Sequence, residues 1–251
     1  MCELMGFTAK QPTNIKQYLN TFYSHSIRHP HGWGLMREQP EREIIKEAVR
    51  AVDSHILPDI IEGTHLQTTT LAHIRFATVG SIRQENCHPF TSRDRFGREW
   101  TLIHNGTIYS GKTMLRRMEE QKGDTDSERM YLSLMDALNA QEHPLSMEER
   151  FRLIERFIAD TAPRNKLNLM IYDGELLYVH KNMRETLKMR RVEQGWLFAT
   201  TPIDDSGAWQ DFPTSQVMAY RNGELLFIGT KHGGEFVPTL EYITAMDAMN
   251  I

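Results

Sequence analysis

An α+β fold, with antiparallel sheets stacked face to face and helical layers outside them, is predicted by three features of this 251-residue sequence. Two apolar strand pairs in the C-terminal half flank Asx-Gly dipeptides, β-branched runs mark the N-terminal half, and two segments of helical periodicity lie between. Thr69 to Thr78 is β-branched and partly alternating, and Trp100 to His104 is a second short apolar run that ends at Asn105-Gly106; both read as strands. From Thr125 to Ala140, Met130, Leu134, Met135 and Leu138 recur at helical spacing, and Thr125 with Glu128 fits a capping box. A second helix is expected from Met147 to Ala159. Leu167 to Tyr172 and Glu175 to His180 flank Asp173-Gly174, while Gln216 to Arg221 and Glu224 to Gly229 flank Asn222-Gly223. Both dipeptides favour the tight turns whose twist matches a hairpin.

Composition narrows the function classes. The chain is 40% hydrophobic and 25% charged, enough to bury a core without staples. Lys plus Arg total 29 against 33 Asp plus Glu, a formal net charge of -4, so no sustained phosphate-neutralising surface exists and nucleic acid is not an expected partner. Arg93 to Arg98, with Asp94 and Glu99 interleaved, reads as a solvated loop between strands. Two cysteines, Cys2 and Cys87, make no disulfide framework and point to a reducing compartment, with the cytoplasm as the expected location. No signal segment and no run approaching about 18 apolar residues is present, so no membrane association is expected. No repeat or linker divides the chain, which is taken as one domain over residues 1–251.

Several residues have the chemistry of a site. Loss of Met1 before a small second residue would leave Cys2 with a thiol and a free α-amino group on one residue. With reference values of about 8 and about 8.5, the amine can accept the thiol proton as sulfur attacks. The structural alternative is a small hydrophobe opening a first strand. Asn105 and Gly106 end an apolar strand, where a side-chain amide and a backbone N–H can converge on an oxyanion, although Asn-Gly is also a common turn. Arg75, near the end of its strand, has the fork that clamps a carboxylate through two parallel bonds. Asp126 can receive a substrate ammonium or simply suit the positive end of a helix. His88 precedes a proline in an extended or turning segment and serves as a substrate contact or a structural histidine, the structural role being favoured. His25, His29 and His31 are the tightest histidine group, but with two cysteines and no helical HExxH zinc is not expected.

Taken in order, Cys2, His31-Gly32-Trp33-Gly34, His73-Ile74-Arg75-Phe76-Ala77-Thr78, Asn86-Cys87-His88-Pro89, His104-Asn105-Gly106 and Thr125-Asp126-Ser127-Glu128 resemble the class II glutamine amidotransferases, most closely the small stand-alone members. Thr200-Thr201-Pro202 resembles a late strand of that group, and the likeness is thin only between about 140 and 195. The resemblance implies a four-layer α-β-β-α N-terminal-nucleophile hydrolase fold, with catalytic motifs in residues 2–128 and the helices and hairpins that complete the sandwich in 129–251. It also implies Cys2 as nucleophile, Asn105 and Gly106 as oxyanion hole, Arg75 on the substrate α-carboxylate and Asp126 on the α-amino group. Thr78 and His88 match pocket positions. Two departures stand out: Val79 follows Thr78 where members that feed ammonia to a fused synthase often have histidine, and His31 stands where the stand-alone group usually has aspartate.

The expected activity is therefore hydrolysis of a γ-glutamyl amide through a Cys2 thioester, releasing glutamate and ammonia or an amine. No synthase domain follows the catalytic half, so ammonia is lost to water, handed to a separate synthase subunit, or incidental to cleavage of a larger γ-glutamyl thiol or peptide. The competing reading of another class is a non-catalytic glutamine-sensing module in which Met1 still blocks Cys2. Thiol-driven amide hydrolysis needs no metal or organic cofactor, and none is expected.

Overall fold

The computed structural model describes residues 2–64, 66–111, 116–240 and 242–244. Among these, the first sheet is built from β1 (Glu3–Asn14), β2 (Trp33–Arg37), β3 (Glu43–Glu47), β4 (Leu66–Ile74), β9 (Lys188–Val192), β10 (Gly195–Ala199) and β11 (Gln210–Asp211). Its order is β11-β9-β10-β1-β4-β2-β3. The second sheet, in the order β13-β12-β8-β7-β6-β5, uses β5 (Phe90–Arg93), β6 (Glu99–Thr107), β7 (Lys166–Tyr172), β8 (Leu177–His180), β12 (Met218–Arg221) and β13 (Glu224–Ile228). Every pairing is antiparallel.

Strand periodicity sorts the side chains into layers. On β1, Met5, Phe7 and Ala9 point outward and join Ala72 and Ile74 of β4 under Leu19, Phe22 and Tyr23 of α1 (Lys16–Ser24) and Leu57 and Ile61 of α2 (Leu57–Gly63). Leu4, Leu71, Ile103 and Met170 point the other way and fill the space between the sheets. On the far side, Leu102 of β6 and Leu167, Leu169 and Ile171 of β7 pack against Met130 and Leu134 of α3 (Asp126–Asn139) and Phe151 and Ile154 of α4 (Met147–Thr161). The layers run helix, sheet, sheet, helix, as the resemblance implies.

The two hairpins form around Asp173-Gly174 and Asn222-Gly223, with Gly174 at φ 88°, Asn222 at 47° and Gly223 at 75°. These are left-handed conformations that Gly and Asn adopt readily. Residues 94–98 form the loop between β5 and β6, where the Asp94 carboxylate accepts from the backbone N–H of Phe96 and Arg98.

Three expectations need correction. Asn105-Gly106 is not a turn after β6 but part of it, paired with Asn168 and Leu167 of β7. Strand β4 ends at Ile74, so Arg75 to Thr78 lie beyond the sheet. Thr125 and Glu128 make only half a capping box: the Thr125 hydroxyl accepts from Glu128 N at 3.2 Å, but the Glu128 carboxylate turns to Lys122 N and Gly123 N, each at 2.7 Å. The reciprocal box stands at the next helix, between Ser146 and Glu149. The first half of the chain also holds α1 and α2, whose short amphipathic patterns the sequence reading did not single out.

Candidate active site

The alternation that buries Leu4 also points Cys2 into the space between the sheets, at its open end. By the same parity Asn105 follows Ile103 inward, and Asn168 and Lys166 follow Met170. Cys2, Asn105 and Lys166 line one cavity of about 280 Å³, shared with Glu3, Arg28, His29, Glu185, Thr186, Thr200 and Thr201.

Cys2 is half-buried, and its sulfur lies 3.4 Å from both Phe76 N and Phe76 O. The backbone N–H can stabilise a thiolate, and the carbonyl accepts a hydrogen bond from the thiol. Burial raises the Cys2 thiol above its ordinary value, while the Phe76 bond and the charges of Arg75 and Lys166 pull it down. The start of β1 is fixed nearby, because the Thr200 hydroxyl accepts from Leu4 N at 2.6 Å.

Asn105 is buried, and among the described residues no hydrogen bond engages its side-chain amide. That leaves a buried donor aimed into the cavity, the requirement for an oxyanion contact. Gly106 is required by packing: a Cβ there would stand 1.9 Å from Lys166 O and 2.4 Å from His104 Nε2. His104 is turned to the helical side, with Nδ1 2.9 Å from Ser127 Oγ and Nε2 3.1 Å from Lys166 O. A carbonyl only accepts, so Nε2 carries the hydrogen and Nδ1 accepts from the hydroxyl.

Arg75 is buried, and its guanidinium is occupied. Nη1 donates to Ser81 O at 2.9 Å, and Nη2 donates to Val79 O at 3.0 Å and Gly80 O at 3.3 Å. Ser81 is held in turn by the Asp124 carboxylate, which accepts from its N–H at 3.0 Å and its hydroxyl at 2.9 Å, and the Asn86 amide bonds to Asp124 and to Ser81 O. Arg75 thus organises the loop beside Cys2 and ties it to the start of α3, but it does not line the cavity. Asp126 is not free either: its carboxylate accepts from Ile108 N at 2.7 Å and Ser127 N at 2.9 Å. Thr78 is exposed and apart from the cavity lining.

His88 is buried against His73, ring centroids 4.3 Å apart, and neither ring has a hydrogen-bond partner among the described residues. Burial drives His88 well below its ordinary value and His73 to about 3, so both are neutral. Cys87 is fully buried and pushed up to about 11 by that burial. His25, His29 and His31 serve separate tasks: His25 Nδ1 meets the Glu3 carboxylate at 2.9 Å, His29 Nδ1 donates to His25 O, and His31 Nδ1 accepts from Ala77 N at 2.8 Å. Among the described residues no group of three or more His, Cys, Asp or Glu is arranged to hold a metal, and no helix is long and apolar enough to cross a membrane.

The sequence reading missed Lys166, Arg28, His29, Glu185 and Thr186 as cavity residues. For Lys166 a signal existed: in Lys-Leu-Asn-Leu-Met the polar residues fall at the inward parity of an apolar strand.

Comparison with known proteins places the chain. The family described as class II glutamine amidotransferases matches residues 1–196. The Escherichia coli protein YafJ, a glutamine amidotransferase by name, is 28% identical over 222 residues, covering 81% of this chain and 87% of its own. The γ-glutamyl-hercynylcysteine sulfoxide hydrolase of Mycolicibacterium smegmatis is 24% identical over 159 residues, covering 62% of each. Among solved structures, a glutamine amidotransferase from Pseudomonas aeruginosa superposes with a TM-score of 0.65 at 21% identity, covering 90% of this chain and 100% of that one.

Proposed function

The chain belongs to the class II glutamine amidotransferases, and from that premise we propose that it hydrolyses a γ-glutamyl amide by nucleophilic attack of Cys2, through a thioester that water resolves to glutamate. The observation that carries this reading is the shared cavity of Cys2 and Asn105, in which a half-buried thiol meets a buried amide that no described side chain engages.

In the proposed reaction Met1 is absent, and the α-amine of Cys2 takes the thiol proton as sulfur bonds to the amide carbon. The carbonyl π pair moves to oxygen, where the Asn105 amide and the Gly106 N–H meet the charge. Collapse breaks the C–N bond, and the α-ammonium returns its proton to the departing amine. Water then attacks the thioester by the same proton route, releasing glutamate and restoring the thiol.

Arg75 and Asp126 are proposed to recognise the α-carboxylate and α-amino group of the γ-glutamyl part. Because both are engaged with backbone atoms, substrate has to displace or share those bonds: the Arg75 fork with the 79–81 carbonyls, and Asp126 with Ile108 N. Apo hydrogen bonds of this kind commonly rearrange on binding.

A second reading, cleavage of a larger γ-glutamyl compound, is supported by the rest of the cavity wall, where Arg28, Glu185, Thr186 and Thr201 offer charged and hydroxyl groups to the amine half of a substrate. The name of the Mycolicibacterium relative describes such a hydrolase. Glutamate release from L-glutamine, set beside release from γ-glutamyl amides of amino acids and thiols, separates the two. A glutamine preference supports a glutaminase, and preference for a bulky amine supports the second reading.

A further inference from the structure

Lys166 opens β7, and strand alternation sends its side chain inward with Asn168 and Met170. It is 1% exposed, one of two lysines among the largest fully buried side chains, and it lines the cavity of Cys2 and Asn105. Its side chain therefore brings a basic group to the wall of the cavity that also holds the Cys2 thiol.

The backbone around it is fixed from β6. His104 Nε2 donates to Lys166 O, and only the absent side chain of Gly106 lets the strands approach so closely. The tripeptide His104-Asn105-Gly106 therefore does two things: Asn105 enters the cavity, while its neighbours on either side secure the residue that brings an ammonium there.

We propose that Lys166 is the electrostatic partner of the Cys2 nucleophile, its positive charge stabilising the thiolate in the cavity they share. This rests on Cys2 being the nucleophile of the reaction proposed above. The thiol proton passes to the α-amine, and Lys166 acts in its ammonium form, which prevails below about pH 8, from the wall of the same cavity. The two groups influence each other in opposite senses. Burial lowers Lys166 to about 8 and the Cys2 charge pulls it back up, while Lys166 pulls the thiol down. Each charge thus makes the other easier to hold in the cavity.

The test needs no substrate. Iodoacetamide alkylation of Cys2 is followed from pH 5.5 to 9.5 by peptide mass, in protein whose N-terminus is shown by intact mass to be Cys2. Wild type is compared with Lys166→Met, which keeps the length and removes the charge, and Lys166→Arg, which keeps the charge. At pH 6.5, where Lys166 is charged, alkylation should be on the order of tenfold slower in Lys166→Met, the size of a single neighbouring-charge effect. Lys166→Arg should restore most of the rate. Coincident profiles for wild type and Lys166→Met overturn the proposal, as does a slowing equally large in folded Lys166→Arg. If Lys166→Met does not fold, the reciprocal measurement decides: capping wild-type Cys2 as its neutral methyl disulfide should lower the Lys166 titration followed by NMR, and an unchanged titration overturns the pairing. A protein that alkylates as expected yet releases no glutamate sinks the hydrolase reading and leaves this pairing standing.

Discussion

The Cys2 sulfur sits 3.4 Å from both backbone polar atoms of Phe76, the residue that follows Arg75. The sheet delivers the cysteine, and the chain leaving β4 supplies a donor and an acceptor for it. Because Arg75 anchors the 79–81 loop just downstream, the backbone that brackets the thiol is itself braced.

Selective thiol labelling follows from this asymmetry. Cys2 is half-buried at the mouth of a cavity, whereas Cys87 is sealed and pushed up to about 11. Brief iodoacetamide treatment at pH 8 should add one equivalent, located on Cys2 by peptide mapping. Equal labelling of Cys87 would contradict the packing.

Asn105→Ala should lower turnover by about 100-fold or more while KM changes only slightly, since an oxyanion donor is worth about 3 kcal/mol in the transition state. Steady-state glutamate release gives both constants. Unchanged turnover would remove Asn105 from its assigned role.

Gly106→Ala should destabilise the fold itself, because the added Cβ falls 1.9 Å from Lys166 O. Overpacking of this kind costs about 3 kcal/mol, which corresponds to a Tm lower by roughly 6 to 12 °C in a domain of this size. Calorimetry reads it, and a Tm within about 2 °C of wild type, the shift expected for less than about 1 kcal/mol, would show that β6 and β7 separate more easily than their register suggests.

Much of this architecture was legible in residue patterns. The hairpins at Asp173-Gly174 and Asn222-Gly223 were readable because turn chemistry is local. The helix expected from Met147 to Ala159 forms as Met147–Thr161, and the structure adds the Ser146–Glu149 capping box at its start. The Asn105-Gly106 pair misled for the same local reason: it has turn propensity, but pairing with Asn168 and Leu167 holds it in a strand, and only the partner strand reveals that. Glu128 likewise has capping-box spacing, yet Lys122 and Gly123, arriving from a loop, take its carboxylate. At the site, Cys2 and Asn105 were legible as chemistry, while Lys166 joins them through long-range pairing between β6 and β7. Side-chain type alone does not disclose that Arg75 and Asp126 are already bonded to backbone atoms.

Acid should destabilise the protein through its buried neutral imidazoles. His180 donates from Nδ1 to Leu167 O and accepts at Nε2 from His232, and burial together with His232 lowers it to about 3; His73, sealed beside His88 and near Arg75, is also held at about 3. Both folded values lie below the ordinary 6.5, so the unfolded chain binds protons that the folded chain refuses. Their contribution is intact above pH 6.5 and is lost progressively as pH falls toward 3, by about 1.4 kcal/mol per pH unit for each group. NMR should show both rings unprotonated at pH 5, with urea midpoints falling below pH 6.5. A ring titrating near 6.5 would contradict its burial.

The central claim is that Cys2 splits a γ-glutamyl amide. It is tested most directly by glutamate release from L-glutamine and a panel of γ-glutamyl amides, using protein confirmed by intact mass to begin at Cys2, beside Cys2→Ala. The account predicts release from at least one of these substrates by the wild-type chain and none by the variant. Release that persists in Cys2→Ala, or its absence from the whole panel with a processed, folded chain, would contradict it.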